Sequence, residues 1–202
     1  MPSSDSTVGR PDADGGPSDE ELIRRTRQGN RLAFKLLVER YEDRVAATII
    51  GMLGPGADAE DAGQETFLRL YERLDQFRGE STLGTYLTRI AINQALQVLR
   101  KRKRWTRRFF SRDEHNEELP QPVADTRDDV AREERKQMTH RALQDLSEEH
   151  RSVVVLRLLQ GYSTKETAEI LNIPEGTVMS RLYRASNQLK KSLAPLLETD
   201  TA

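Results

Sequence analysis

The chain has 202 residues, enough for one or two small domains with a real core, and its formal net charge is -1. It contains no cysteine, which excludes disulfides, thiolate metal sites and a cysteine nucleophile. No apolar run is long enough to cross a bilayer and the opening residues lack the apolar centre of a signal peptide, so the expectation is a cytoplasmic protein with no membrane insertion of its own.

Residues 1–17 are rich in Pro, Gly, Ser and Asp and read as a disordered tail. Ser18, with Glu21 three residues on, forms a capping box that opens a first helix, and Gly29 ends it. Asn30 caps the next, in which Phe34, Leu37, Tyr41 and Val45 recur at helical spacing until Gly54-Pro55-Gly56 breaks it. Asp58 and Asp61 begin a third helix through about Gln76, with Phe67, Leu70, Tyr71 and Leu74 as its apolar side. Phe77 to Glu80 reads as a loop. A fourth helix, capped by Ser81 or Thr82, then runs to about Arg104 with Leu83, Leu87, Ile90, Ala91 and Val98 inward.

Residues 109–129 contain Pro120, Pro122 and many acids and read as a flexible linker. Helix resumes over 130–146. Ser147 caps another helix, whose first turn carries Glu148 and Glu149 where the macrodipole favours anions, and which ends at Gly161. Next come two short helices and a tight turn. Ser163 and Glu166 form a capping box, Asn172 tolerates the left-handed conformation of a helix end, and Pro174 forbids continuation. The last helix restarts around Glu175 to Thr177. No segment alternates as a strand would. The expected fold is all-α, with two small helical domains over 18–108 and 130–197 joined by the linker.

The near-zero net charge conceals segregation. The first twenty residues are acidic, the run Arg100 to Arg108 (RKRKRWTRR) is almost wholly basic, and 113–134 is acidic again. Local charge governs attraction to phosphate because screening acts over roughly 8–10 Å. Seven cations interleaved with Trp105 can neutralise phosphates while the indole stacks, although two or three cations at a helix C-terminus need no such explanation. In the last helix Val178, Leu182, Ala185, Leu189 and Leu193 share one side, and Thr177, Ser180, Arg181 and Arg184 cluster on another. An apolar stripe with hydroxyls and guanidiniums opposite is what a recognition helix in a major groove requires. The plainer alternative is a helical hairpin whose polar side faces water.

No Walker loop, G-x-S-x-G or H-E-x-x-H pattern is present, and His115, His140 and His150 show no ligand spacing. No catalytic residue, cofactor or metal is therefore expected.

Two segments carry a resemblance: DAEDAGQETFLRLYERLDQFRGESTLGTYLTRIAINQAL (Asp58 to Leu96) and LSEEHRSVVVLRLLQGYSTKETAEILNIPEGTVMSRLYRASNQL (Leu146 to Leu189). In this order they resemble bacterial RNA polymerase sigma factors of the sigma-70 family, in the extracytoplasmic function group. The resemblance implies that the first domain (region 2) binds core RNA polymerase and recognises and melts the minus-ten promoter element. The second (region 4) would read the minus-thirty-five element with its helix-turn-helix. Glu60, Asp61, Gln64 and Glu65 match the acidic helix that meets the polymerase coiled coil. Asp61, Gln64, Glu65 and Leu68 share one helix side, though an acidic side by itself is ordinarily a solvated face.

By the same resemblance, Arg78, Ser81 and Thr82 lie in the loop that captures a flipped base of the minus-ten element. Tyr86 stands where relatives often place tryptophan at the edge of melted DNA. A partly buried core aromatic is its structural alternative. Arg89 and Asn93 match a RIAxN pattern, as phosphate anchor and base reader. Gln97 departs from the acidic or Asn residue of relatives. The basic run Arg100, Lys101, Arg102, Lys103 and Arg104 would lie along duplex DNA. Pro174, Gly176, Thr177, Ser180, Arg181, Tyr183 and Arg184 match the turn and recognition helix, whereas Met179 replaces a common arginine. Met179 can touch a thymine methyl but makes no bidentate guanine contact. Thr167 stands where relatives usually have an aliphatic residue, so looser packing is expected there. The group also implies control by an anti-sigma factor that clamps both domains, a stress or envelope response, and retention at the membrane through that partner. A stand-alone helix-turn-helix regulator is the alternative, but no separate dimerisation helix is evident.

Overall fold

The computed structural model describes residues 16–109 and 127–199, which fold into eight α-helices. Among the described residues there is no β-strand. Most of the expected tail and linker, with the acids Asp113, Glu117, Glu118 and Asp125, lies outside them.

Helix α1 spans Asp19–Arg27, and Ser18 accepts the Glu21 amide as its cap. Helix α2 spans Arg31–Leu53 behind Asn30, whose side chain accepts the Ala33 amide. It stops at Gly54, where φ is 80° and the amide donates back to Ile50. A side chain at that φ would be strained, and Pro55 follows at once. Helix α3 spans Ala57–Arg73. It begins without a side-chain cap, so Asp58 and Asp61 favour the helix N-terminus only through the macrodipole. It ends three residues earlier than the apolar pattern predicts, because Leu74–Gln76 tighten into a 3-10 turn. Helix α4 spans Leu83–Phe109 and is longer than expected. Of the two candidate caps, Thr82 takes the role by accepting the Thr85 amide.

Helices α1 to α4 enclose a core in which Leu22, Leu37, Ile49, Leu70 and Leu87 are fully buried. Each side chain of that size contributes about 1.5–3 kcal/mol by leaving water. Tyr71, expected on the apolar side of α3, is half in solvent, and its ring meets that of Phe34 edge-to-face with centroids 4.9 Å apart.

Helix α5 spans Arg127–Gln144 and α6 spans Glu148–Val154, with Ser147 capping α6 by accepting the His150 amide. The expected single helix to Gly161 widens after α6 into a π-turn over Val155–Leu159, closed by Gln160 donating to the Val155 carbonyl. Helix α7 spans Thr164–Leu171 and α8 spans Glu175–Thr199. Both halves of the Ser163–Glu166 capping box form, and Asn172 is left-handed at φ 52°.

The run Val153 to Leu156 is buried on every side because three clusters need it. Val153 packs with Ala168 and Val178, Val154 with Leu143, Leu146 and Ala185, and Val155 and Leu156 join the core of α1 to α4. The fold is all-α with two helical domains, as expected; in this arrangement the C-terminal helices are also seated on the N-terminal ones and share a core with them.

Candidate nucleic-acid and partner interface

The acidic face of α3 forms as the spacing predicts. Glu60, Asp61 and Gln64 are exposed, and Leu68 is 59% exposed, a large apolar side chain standing among carboxylates. Glu65 is half-buried and holds Arg69 at 2.7 Å one turn on, so part of its charge is internally paired. The Phe34–Tyr71 ring contact joins α3 to α2, where Leu32 (65% exposed) and Leu36 also reach solvent. Those apolar side chains went unnoticed in the sequence, since a helix period predicts which side is buried and not which inward-looking residues remain bare.

The loop before α4 carries Arg78 and Thr82 exposed and Ser81 half-buried. Tyr86 is half-buried, with its ring 5.1 Å from that of Phe77 and tilted by 49°. The structure therefore gives it a share in packing while leaving part of the ring free. Asn93 and Gln97 are exposed on the same helix. Arg89 is not. One of its terminal nitrogens donates to the Glu169 carbonyl at 3.0 Å, and its Nε is buried with no partner.

Within the basic run, Arg100, Lys101 and Arg104 are exposed, and Trp105 is 57% exposed. Arg102 folds back onto Asp58 at 2.6 Å and Lys103 pairs with Glu148 at 2.7 Å. The Arg102–Asp58 pair is largely solvent-screened and releases easily in favour of phosphate, whereas Glu148 in the other pair is only 19% exposed.

The helix-turn-helix is built from α7, the turn at Asn172 to Pro174, and α8. The Pro174 carbonyl accepts the amides of Thr177 and Val178, which starts α8. Val178 and Ala185 are fully buried, so the rotation of α8 is fixed from within. The opposite side stands in solvent: Met179 is 64% and Tyr183 71% exposed, with Pro174, Gly176, Ser180 and Arg184 also exposed. Thr177 is half-buried, and its carbonyl accepts the Ser180 hydroxyl at 3.1 Å. Arg181 is also half-buried and pairs with Glu149 at 2.7 Å, a competition the sequence did not reveal. Thr167 is wholly buried, and its hydroxyl has no hydrogen-bond partner.

Arg151 is another feature that sequence reasoning missed. It is 5% exposed, and its donors reach the Met52 carbonyl at 2.5 Å and the Leu146 carbonyl at 3.0 Å. Burial pulls its pKa below the ordinary arginine value, with Glu148 opposing that shift. The signal for it lay in the unbroken apolar run beside it, which only a site buried all round requires.

Among the described residues no cluster of His, Asp or Glu could hold a metal ion, and no helix is long and apolar enough to cross a membrane. A helix-turn-helix with an outward polar face places the chain among DNA-binding proteins. The Sigma-70 region 2 family pattern matches residues 37–105, and that of Sigma-70, region 4 matches residues 136–189. The chain is 33% identical over 188 residues to the RNA polymerase sigma-H factor of Pseudomonas aeruginosa, covering 89% of this chain and 95% of that one. It is 34% identical over 185 residues to the ECF RNA polymerase sigma-E factor of Escherichia coli K12, covering 89% and 96%. Among solved structures it is similar to the sigma factor RpoE in complex with the anti-sigma factor NepR from Bartonella quintana. That similarity has a TM-score of 0.65 and 26% identity, and covers 80% of this chain and 96% of that one.

The chain belongs to the sigma-70 family of RNA polymerase sigma factors, in the extracytoplasmic function group. As a sigma factor it directs core RNA polymerase to promoter DNA.

Proposed function

We propose a division of labour in which residues 18–108 dock on polymerase and open the minus-ten element while residues 130–197 hold the duplex minus-thirty-five element. The observation that carries it is the pairing, in one chain, of an exposed acidic face on α3 with an exposed hydroxyl and guanidinium face on α8. An acidic face with Leu68 at its side complements a basic helical partner and excludes nucleic acid by like charge. Glu60, Asp61, Gln64, Glu65 and Leu68 are assigned to polymerase.

Arg78, Ser81, Thr82, Tyr86, Arg89, Asn93 and Gln97 are assigned to the minus-ten strand, with Tyr86 stacking on a base. Arg100 to Arg104 bind duplex phosphates, and Pro174, Gly176, Thr177, Met179, Ser180, Arg181, Tyr183 and Arg184 form the minus-thirty-five reader. Opening DNA consumes a few kcal/mol per extruded base, which captured bases offset, so binding energy alone suffices. The factor acts without catalysis of its own, in the cytoplasm. An anti-sigma factor controls it, as NepR binds the Bartonella protein. Transcription in vitro with core polymerase on a promoter library tests this reading. Initiation dependent on the factor, with enrichment at both elements, is expected. Failure to associate with core polymerase, or specific duplex binding only as a dimer, would overturn it.

A further inference from the structure

We infer that Met179 and Tyr183 form an apolar strip on α8 that reads thymine 5-methyl groups in duplex DNA, beside the polar side carried by Ser180 and Arg184. The inference rests on the assignment of α8 to the minus-thirty-five duplex and names what that site selects. Val178 and Ala185 are fully buried and fix the rotation of the helix. At about 3.6 residues per turn, the outward face then runs from Met179 and Tyr183 through Gly176 and Ser180 to Arg184. The two apolar side chains, four residues apart, are neighbours on that face and are 64% and 71% exposed. Folding does not require them there, since Val178, Leu182, Ala185 and Leu189 already fill the inner side of α8. The middle of the face is shallow. A Cβ on Gly176 would have nothing within 4 Å, and the Ser180 hydroxyl turns back to the Thr177 carbonyl at 3.1 Å.

Charge gathers on the other edge. Arg184 is exposed there, whereas Arg181 is 23% exposed and held by Glu149 at 2.7 Å. Guanine offers two acceptors to the major groove and calls for a bidentate donor, which neither a thioether nor an aromatic ring supplies. The thymine methyl is the one apolar group that a base pair projects into that groove. An unbranched thioether adapts its shape to such a group, and an aromatic ring presents a flat apolar face to it. Spacing fits as well. One helical turn advances about 5.4 Å and one base step about 3.4 Å, so two side chains a turn apart reach methyls on adjacent or next-adjacent pairs. An apolar groove on a protein is the other occupant such a strip could take. The exposed Arg184, Lys190 and Lys191 on the same helix favour a polyanion instead.

The test uses the full chain assembled with core polymerase, on promoter duplexes whose minus-thirty-five element is randomised. Selection should return thymines at two positions no more than two steps apart. Uracil placed at either one removes only the methyl and should weaken binding about two- to fivefold. At the same positions 5-methylcytosine should bind better than cytosine by a similar factor. Met179→Ala should bind thymine and uracil alike at one position, and Tyr183→Ala at the other. Met179→Arg should move the preference at its position from thymine toward guanine. Both residues stand in solvent, so these replacements leave the core intact. Selected elements without such thymines would overturn the inference. So would uracil equal to thymine throughout while joint Arg181→Ala and Arg184→Ala still abolishes selection, and the strip would then pass to a protein partner. Selection that survives that double replacement unchanged would instead remove α8 from the duplex, and the methyl reader with it.

Discussion

On α8 the side chains proposed to face the major groove, Ser180, Tyr183 and Arg184, stand in solvent, whereas on α4 Arg89 is half-buried and donates to the Glu169 carbonyl of α7. Both helices are amphipathic and both are proposed to serve DNA, yet only on α4 does a helix of the other half engage an assigned arginine. The difference lies in what covers each polar side. The apolar stripe of α8 is satisfied inside its own domain by Val153, Val154 and Ala168. The upper part of α4 instead buries Thr85 and Thr88, which a partner must hydrogen-bond, and Tyr162 does so for Thr88. A face made of polar residues that are themselves buried is a face under another element.

The largest effect expected is on the open side. Replacing Arg181 and Arg184 together by Ala should abolish specific binding to duplex minus-thirty-five DNA, since a good bidentate base contact discriminates by about 1–3 kcal/mol. Gel-shift titration at fixed salt measures this, and affinity for core polymerase should persist. Equal loss of both would merge the two halves that the comparison separates. Next, Asp61→Lys on α3 should weaken polymerase binding by about ten- to a hundredfold through like-charge contact with a basic partner, read by competition against a labelled sigma factor. Duplex binding by α8 should not change.

On the covered side, Tyr86→Ala should lose about 1–3 kcal/mol of stacking on the melted strand, seen as slower open-complex formation, while Tyr86→Phe keeps most of it. If Phe behaves like Ala, the hydroxyl and not ring stacking carries the effect. Thr167→Val should raise stability by about 1 kcal/mol, because it removes a buried hydroxyl without a partner, and a higher urea midpoint at constant slope would show it. An unchanged or lower midpoint would mean that the hydroxyl has found a partner.

The smallest effect concerns the cap of α7. The Ser163 hydroxyl and amide hold the Glu166 carboxyl below its ordinary value of 4.5. A lowered folded-state pKa stabilises above the unfolded value, and that contribution disappears as pH falls through the folded one. Glu166→Gln should therefore lower the melting temperature slightly at pH 7, and the difference should shrink as pH falls below the ordinary carboxylate value. A difference that persisted in acid would mean that the neutral side chain supplies the stabilisation.

Much of this molecule was legible in the chain because helix boundaries are local chemistry. Ser18, Asn30, Ser147 and Ser163 each accept an amide three residues on, and Gly54 and Asn172 each end a helix, as residue type and spacing require. The rotation of α8 was legible for the same reason, since a stripe at steps of three and four admits one inward side. The limits were equally physical. The π-turn after Val154, the tightened end of α3 and the start of α3 without a cap all depend on packing beyond the helix concerned.

By itself, then, the sequence determined the eight helices, their polar and apolar sides and the family to which they belong. Only the tertiary structure decided that Arg181 meets Glu149, that Arg151 reaches the end of α2, and that Arg89 donates to the Glu169 carbonyl. Periodicity reports which side of a helix avoids water. Which distant segment supplies the cover is fixed by contacts about a hundred residues apart along the chain, such as Met52 with Arg151, and those leave no periodic trace.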